Sequence, residues 1–175
     1  MRFSPNEDQA SFLSVLAQIT ESPAAAWKAS PDWSRFDYAP GLDGLLEENG
    51  FFDCAREPTL GLVAAACMTY ELARVPALVE CAASSTLRAM FAPDLPRPVA
   101  VIDAGLSQAV AFLPSAKSVI RLDGDAIRVA QLGAGAVEEV SSLFAYPMGR
   151  IAAGTDVTWE TVEGDVAAAC VVWRI

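Results

Sequence analysis

The chemistry open to this chain is limited first by the residue types it contains. Its 175 residues include no histidine, so serine and cysteine triads built on imidazole are excluded, as is the commonest zinc ligand. Cys54, Cys67, Cys81 and Cys170 are widely spaced within apolar segments. This pattern indicates buried, reduced thiols and neither a metal-ligand pair nor a redox pair. Any reaction would therefore depend on carboxylates or on a cofactor.

Carboxylates, glycines and basic residues occur in patterns that stop short of known site motifs. The adjacent pairs Glu47-Glu48 and Glu138-Glu139 place their members on different faces, so solvated charge is the default interpretation. The run Gly133–Ala136 resembles half of a phosphate-binding loop, but no clear helix follows it, and a flexible loop is favoured. Several cations could each meet a phosphate but do not cluster in sequence, so we expect isolated surface charges. These are Arg2, Arg88, Arg97, Lys117, Arg121 and Arg128.

The composition favours a folded, acidic protein. Hydrophobic residues make up 53% of the chain and the formal net charge is -10. Such a charge disfavours binding to nucleic-acid phosphates or anionic lipid. The N-terminus lacks an apolar export segment, and the apolar run Leu60–Tyr70 is shorter than the roughly 20 residues needed to cross a bilayer. We expect a cytoplasmic protein that binds neither nucleic acid nor membrane.

Helical signals fill the first half of the chain. Ser4, Pro5 and Glu7 have the spacing of a capping box at the start of a first helix, which Ser22-Pro23 should end. A short helix and a loop are predicted over residues 23–40.

Three further helices are predicted before the helical spacing of apolar residues ends. A leucine-rich helix should end at Asn49-Gly50, with the pair Phe51-Phe52 packed beyond it. Thr59 can cap the next helix, which we expect to be central. Pro76 should open the last one, with Met90 inward and Arg88 exposed.

Beyond a proline-rich connector around Leu95, β-branched runs replace the helical period. Asp123-Gly124 predicts a tight hairpin between two of the strands. The predicted strands are Val99–Ile102, Ala109–Leu113, Ser118–Leu122, Ala126–Ala130 and Val157–Val162.

The segment Asp165–Ile175 is apolar on nearly every face. A helix capped by Asp165 is favoured, and a strand remains the alternative. Such an element has to be covered by protein, which predicts a missing C-terminal domain or a partner. The expected organisation is α+β: a helical bundle over residues 1–95, a small antiparallel β domain over 96–163, and the start of a C-terminal helical element over 164–175.

Several strings, in order and at similar separations, resemble the acyl-CoA dehydrogenase family, mainly within the first 90 residues. They are Phe3-Ser4 with Glu7 and Gln9, the run Leu45–Phe52, the run Leu60–Ala65, and the run Glu71–Pro76.

The resemblance implies a flavoenzyme that α,β-dehydrogenates acyl-CoA thioesters. In that family FAD lies between the β domain and a C-terminal helical bundle, a carboxylate of the bundle removes the α-proton, and a hydride passes to the flavin. Asp103 and Ser107 match the flavin-binding run, and no residue here matches the catalytic base. The implied partners are acyl-CoA and a missing C-terminal helical domain or partner subunit, in an oligomer. The alternatives are a non-catalytic relative that serves as a binding or assembly module, and an unrelated α+β protein.

Overall fold

Helices precede two mostly antiparallel sheets along this chain. The computed structural model describes residues 5–25, 37–102, 105, 107–142 and 146–174. Within these residues the expected α+β class is confirmed. The closer correspondence to the acyl-CoA dehydrogenase fold stays a prediction.

The helical half is built around one apolar core. Helices α1 (Glu7–Glu21), α2 (Pro40–Glu48) and α3 (Gly61–Leu72) surround a 3₁₀ segment, Phe51–Arg56. The largest fully buried side chains of this core are Leu16, Leu42, Leu46, Phe52 and Met68. No helix within the described ranges has both the length and the apolar character needed to cross a membrane.

The start of α1 differs from the prediction, although its end at Ser22 agrees. Asn6 is the N-cap: its side chain accepts a hydrogen bond from the Gln9 N–H at 2.8 Å, and the Gln9 side chain accepts from the Asn6 N–H at 3.0 Å. The predicted partner Ser4 lies outside the described residues, and Glu7 is the first helical residue. The capping box is therefore present, but Asn6 and Gln9 form it, each two residues after the predicted partners Ser4 and Glu7.

The predicted cap is confirmed at the C-terminal end of α2 and is wrong at the N-terminal end of α3. Asn49 is the C-cap of α2 and Gly50 adopts the left-handed conformation with φ of 72°, as predicted. Thr59 does not cap α3, because the N-cap is Leu60 and no side-chain hydrogen bond is made there. The chain instead enters α3 through Gly61, with φ of 63°.

The helix predicted from Pro76 begins several residues later. Residues 76–81 are not helical, and Leu78 forms an isolated parallel bridge with Tyr38. A π-helical segment, Ser84–Arg88, then continues into α4 (Ala89–Phe91). The Glu80 carboxylate explains the delay, because it accepts hydrogen bonds from the Ala83 and Ser84 backbone N–H groups and so caps this helix.

Two side chains of this helix have the opposite exposure from that expected. Met90 is 40% exposed, whereas it was predicted to face inward. Arg88, expected on the surface, is largely buried: its Nε donates to the Leu95 carbonyl at 2.9 Å and its Nη1 lies 3.3 Å from Asp53. The π-helical winding shifts the helix faces after Ser84 relative to a regular 3.6-residue period.

The strands form two sheets. The first has the order β1-β3-β4-β7, with β1 parallel to β3 and the other pairs antiparallel. Its strands are β1 (Val99–Ile102), β3 (Ser118–Asp123), β4 (Ala126–Gln131) and β7 (Glu160–Val162). The second sheet is antiparallel with the order β2-β6-β5. Its strands are β2 (Val110–Ala111), β5 (Val137–Val140) and β6 (Met148–Ile151).

The strand predictions were accurate in the first sheet and poor in the second. β1, β3, β4 and the hairpin after Asp123 agree with expectation, whereas β5 and β6 were missed. The predicted strand Ala109–Leu113 contains only the two residues of β2, because Phe112 turns into the left-handed region and a 3₁₀ turn, Leu113–Ser115, follows. Of Val157–Val162 only the last three residues are a strand.

The C-terminal segment is a helix, α5 (Val166–Arg174), as favoured. Asp165 caps it by accepting from the Ala168 N–H at 3.1 Å. The chain itself covers one side of this helix: Ala169 is fully buried in a core shared with the π-helical segment and the first sheet, and Trp173 packs against that core. Val171 remains 58% exposed. The expectation that a further domain or a partner covers this element stays a prediction, because the chain itself covers the helix only in part.

Candidate functional site

A cavity of about 670 Å³ lies between the helical half and the first sheet. It is enclosed by the end of α3, the irregular segment 73–83, strand β1, the chain around β2, and α5. Side chains that define its walls include Leu72, Val75, Leu78, Val79, Val110 and Trp173. Because these elements are distant in sequence, the cavity exists only in the folded chain.

The interior of the cavity is apolar even where polar residues line it. The Thr69 hydroxyl donates to the Ala65 carbonyl of its own helix at 2.9 Å, and the Cys81 thiol in turn donates to the Thr69 hydroxyl, with 3.7 Å between sulfur and oxygen. Burial raises the pKa of Cys81 to about 12, so the thiol is uncharged at neutral pH. These groups are satisfied within the protein, and the space suits hydrocarbon better than a charged ligand.

The mouth of the cavity is marked by its exposed lining residues, Ala73, Arg74 and Tyr146. Arg74 bonds Glu71 at 3.0 Å and its guanidinium lies 5.7 Å from the centre of the Tyr70 ring. Its side chain is 64% exposed, so it can reorient at little cost. An arginine, paired with Glu71, thus stands at the entrance to an apolar interior.

The cavity follows the free edge of β1. Three consecutive residues of this strand, Val99, Ala100 and Val101, line it. Successive side chains of a strand point to opposite faces, so a cavity on one face would be lined by alternate residues only. Since β1 pairs with β3 on its other side and is the terminal strand of its sheet, the cavity runs along the unpaired edge.

Phe112 fixes the rim between β2 and Tyr146. It has φ of 64°, an unfavourable left-handed conformation for a residue with a bulky side chain. Its N–H donates to the Pro147 carbonyl at 2.9 Å, and its ring meets the Tyr146 ring edge-on at 6.1 Å. A strained conformation persists only where surrounding contacts impose it, so this rim is a rigid part of the cavity.

Behind the cavity wall lies a buried ion cluster formed by Tyr38, Asp43, Glu80 and Arg97. The Arg97 Nη2 donates to the Asp43 carboxylate and to the Glu80 carbonyl, both at 2.9 Å, and the guanidinium stacks on the Phe52 ring. The Tyr38 hydroxyl donates to the same Asp43 oxygen at 2.9 Å. This cluster ties the connector after α4 to α2 and to the segment that forms the cavity wall.

Burial also shifts two pKa values within the buried ion cluster. Loss of solvent raises the pKa of Glu80 above its usual range, although hydrogen bonds from Ser84 and the charge of Arg97 oppose the shift. Burial, reinforced by Asp43, raises the pKa of Tyr38. Glu80 uses both carboxyl oxygens on Ala83 and Ser84, so its chemistry is that of a cap.

Of the two residues proposed for flavin binding, Ser107 is the one within the described residues, and it does not line this cavity. Asp103 lies outside the described residues. Ser107 is exposed in the turn between β1 and β2. Of the acidic pairs, Glu138 forms a bidentate pair with Arg150 at 2.9 and 3.0 Å.

The buried ion cluster was missed because Arg97 was considered as an isolated surface charge, and its partners were not considered together with it. Arg97 was expected on the surface, but its side chain is only 1% exposed. A sequence signal did exist: Arg97 stands between two prolines in an apolar stretch, and Glu80 is a single charge within the apolar run 75–83. An isolated charge in such surroundings indicates a buried partner.

Comparison with known proteins adds no family assignment. Within the residues that the structure describes, no group of three or more potential ligands among Cys, Asp and Glu could hold a metal ion. No family model, curated protein or solved structure matches the chain.

Proposed function

We propose that this chain is a binding module whose cavity holds an elongated apolar group, such as the acyl chain of a thioester. The observation that carries the proposal is the apolar cavity along the free edge of β1. Its volume falls within the range of roughly 300–1,000 Å³ that is typical of small-molecule sites. The resemblance to acyl-CoA dehydrogenases supports an acyl thioester as the ligand.

The placement of charge is consistent with a ligand that has an apolar tail and an anionic head. The tail would remove water from the walls formed by residues such as Leu72 and Val110, which is favourable by about 0.8 kcal/mol for each CH₂ group buried. The head would remain at the mouth, where Arg74 can meet a negative group. Cys81 and Glu80 are engaged within the protein, so the cavity is suited to holding a ligand.

Calorimetry with acyl-CoA thioesters of increasing chain length tests the proposal. Affinity should rise by about fourfold per added CH₂ until the cavity is full. Ala111→Trp, which fills the cavity from β2, should weaken binding of long chains by at least about tenfold. Ala126→Trp is the matched control, since Ala126 is half-buried in β4 and does not line the cavity. An affinity that does not depend on chain length, or an equal loss of affinity in both variants, would contradict the proposal.

A second proposed function is that of one part of an FAD-dependent acyl-CoA dehydrogenase. The observed order of helices followed by sheets favours it, together with the family-like strings. The missing helical bundle, in cis or from a partner, would supply the second wall of the flavin site and the catalytic carboxylate. The chain alone should then neither retain stoichiometric FAD nor oxidise acyl-CoA, and adding the bundle should restore visible flavin absorbance and dye reduction. Chain-length-dependent binding without flavin in the assembly would favour the non-catalytic module.

A further inference from the structure

A second cluster of arginines lies on the first sheet, away from the cavity. Arg121 of β3 and Arg128 of β4 are directly opposite each other in the antiparallel pair. Like charges in this position repel, so the arrangement is unfavourable unless an anion lies between them. Asp123 supplies one: its Oδ1 accepts from the Arg121 Nη2 at 3.3 Å, and its Oδ2 lies 3.5 Å from the Arg128 Nη1.

One carboxylate does not satisfy two guanidinium groups. Both distances to Asp123 exceed the 2.7–2.9 Å of a strong charge-assisted hydrogen bond. The Arg128 Nε is buried and has no hydrogen-bond partner within the described part of the chain. A buried donor without an acceptor adds to the cost of holding two cations here, and the solvent-accessible N–H groups of both arginines, which Asp123 engages only loosely, leave capacity for an oxyanion.

Within the described residues, the ion pairs of Arg121 and Arg128 are both made with Asp123. Strand β7 borders Arg128, and its register places Thr161 opposite Arg128 and Glu160 opposite Val129. Since neighbouring residues on a strand point to opposite faces, the Glu160 carboxylate lies on the far face of the sheet. The Trp159 ring lies 5.9 Å from the Arg121 guanidinium. Arg121, Arg128 and Asp123 together carry a formal charge of +1 within a chain of net charge -10, and Glu163, just beyond β7, forms no ion pair with either arginine in the described part of the chain.

We propose that Arg121 and Arg128 form a binding site for a phosphoryl oxyanion, for which Asp123 acts as an internal competitor. Guanidinium groups bind phosphate through paired N–H donors, and two of them can hold adjacent oxygens of one anion. Side-chain exposures of 26% for Arg121 and 41% for Arg128 leave both accessible. The Thr161 hydroxyl, on the same face, can add a further donor.

The test is calorimetric titration of the full chain with inorganic pyrophosphate at low ionic strength. Arg128→Gln should weaken binding by about tenfold or more, since one charge-assisted contact is removed. Asp123→Asn should strengthen it by about threefold or more, because the competing carboxylate becomes neutral. A purely structural role for Asp123 would not produce tighter binding.

The matched control is Glu138→Gln, which removes a carboxylate from an arginine pair on the other sheet and makes the same change in net charge. It should leave pyrophosphate affinity unchanged. Trp159→Phe should remove any fluorescence change caused by binding and leave the affinity close to that of the parent chain. Failure of pyrophosphate to bind, indifference to Arg128→Gln, or equal strengthening by Glu138→Gln and Asp123→Asn would overturn the proposal.

Discussion

Two clusters in this molecule pair arginine with aspartate, and they differ in solvent exposure. In the buried ion cluster the side chains of Arg97 and Asp43 are 1% and 11% exposed and their ion pair measures 2.9 Å. On the first sheet, Asp123 is 34% exposed and lies 3.3 and 3.5 Å from its two arginines. The same residue types therefore form a tight pair in one place and a loose one in the other.

The comparison shows that burial decides what an ion pair does. A buried charge that loses its partner stays in a low-dielectric environment, so removing Arg97 would leave Asp43 uncompensated. Half-exposed charges are solvated and screened, and they contribute little to stability. They remain available to a ligand for the same reason.

The largest expected effect is at Arg97. Arg97→Met should lower the free energy of unfolding by about 3–5 kcal/mol, because Asp43 would remain buried without its cation. Chemical denaturation followed by circular dichroism measures the change. The control is Arg150→Met, which breaks an exposed pair with Glu138 and should have a much smaller effect. Equal losses in the two variants would show that burial does not distinguish them.

A smaller effect, dependent on pH, is expected at Glu80. Its folded-state pKa is raised above the usual 4.5 by burial, so the folded chain holds this proton more tightly than the unfolded chain. The stabilisation is complete below about pH 4.5 and declines as pH rises toward the folded-state pKa. Glu80→Gln, which keeps the shape of the side chain, should therefore gain stability relative to the parent with rising pH. Thermal melts over a pH series check it, and parallel curves for the two proteins would argue against a raised pKa.

How far the sequence could predict the fold depended on whether a signal was local. The left-handed Gly50 after Asn49, the cap Asp165 and the hairpin after Asp123 all act within a few residues, and all were identified. The helix predicted from Pro76 failed because its apolar spacing was satisfied by another arrangement. Glu80, a residue within that pattern, caps the helix only from Ala83 onward.

The missed strands and the candidate sites depend on contacts between distant residues. In the sequence, β5 resembles a charged loop because its two central residues are Glu138 and Glu139, which are exposed in the structure. The segment is a strand because it pairs with β6. The cavity requires α3, β1 and α5 to meet. Arg121 and Arg128 could have been paired from the hairpin at Asp123, since residues equidistant from a tight turn face each other.

A small effect on stability is expected when the Asp123 carboxylate on the first sheet is neutralised. Asp123→Asn should change the free energy of unfolding by less than about 1 kcal/mol, in contrast to the loss at Arg97. Asn is tolerated at the start of a tight turn, so the hairpin should remain intact. Urea denaturation in the absence of phosphate measures the change. A loss as large as that of Arg97→Met would mean that this cluster also serves the fold.

The smallest effect, and the sharpest comparison, concerns salt. The coupling energy between Arg128 and Asp123, from a double-mutant cycle with Arg128→Gln and Asp123→Asn, should be about 0.2–1 kcal/mol at low salt. It should fall toward zero near 1 M NaCl, where the Debye length shrinks to about 3 Å. The corresponding cycle for Arg97 and Asp43 should keep most of its coupling, because mobile ions cannot enter the space between two buried groups. A coupling at Arg97 that decays with salt as fast as the one at Arg128 would mean that water reaches the buried ion cluster, and the difference between the two clusters would then be one of distance alone.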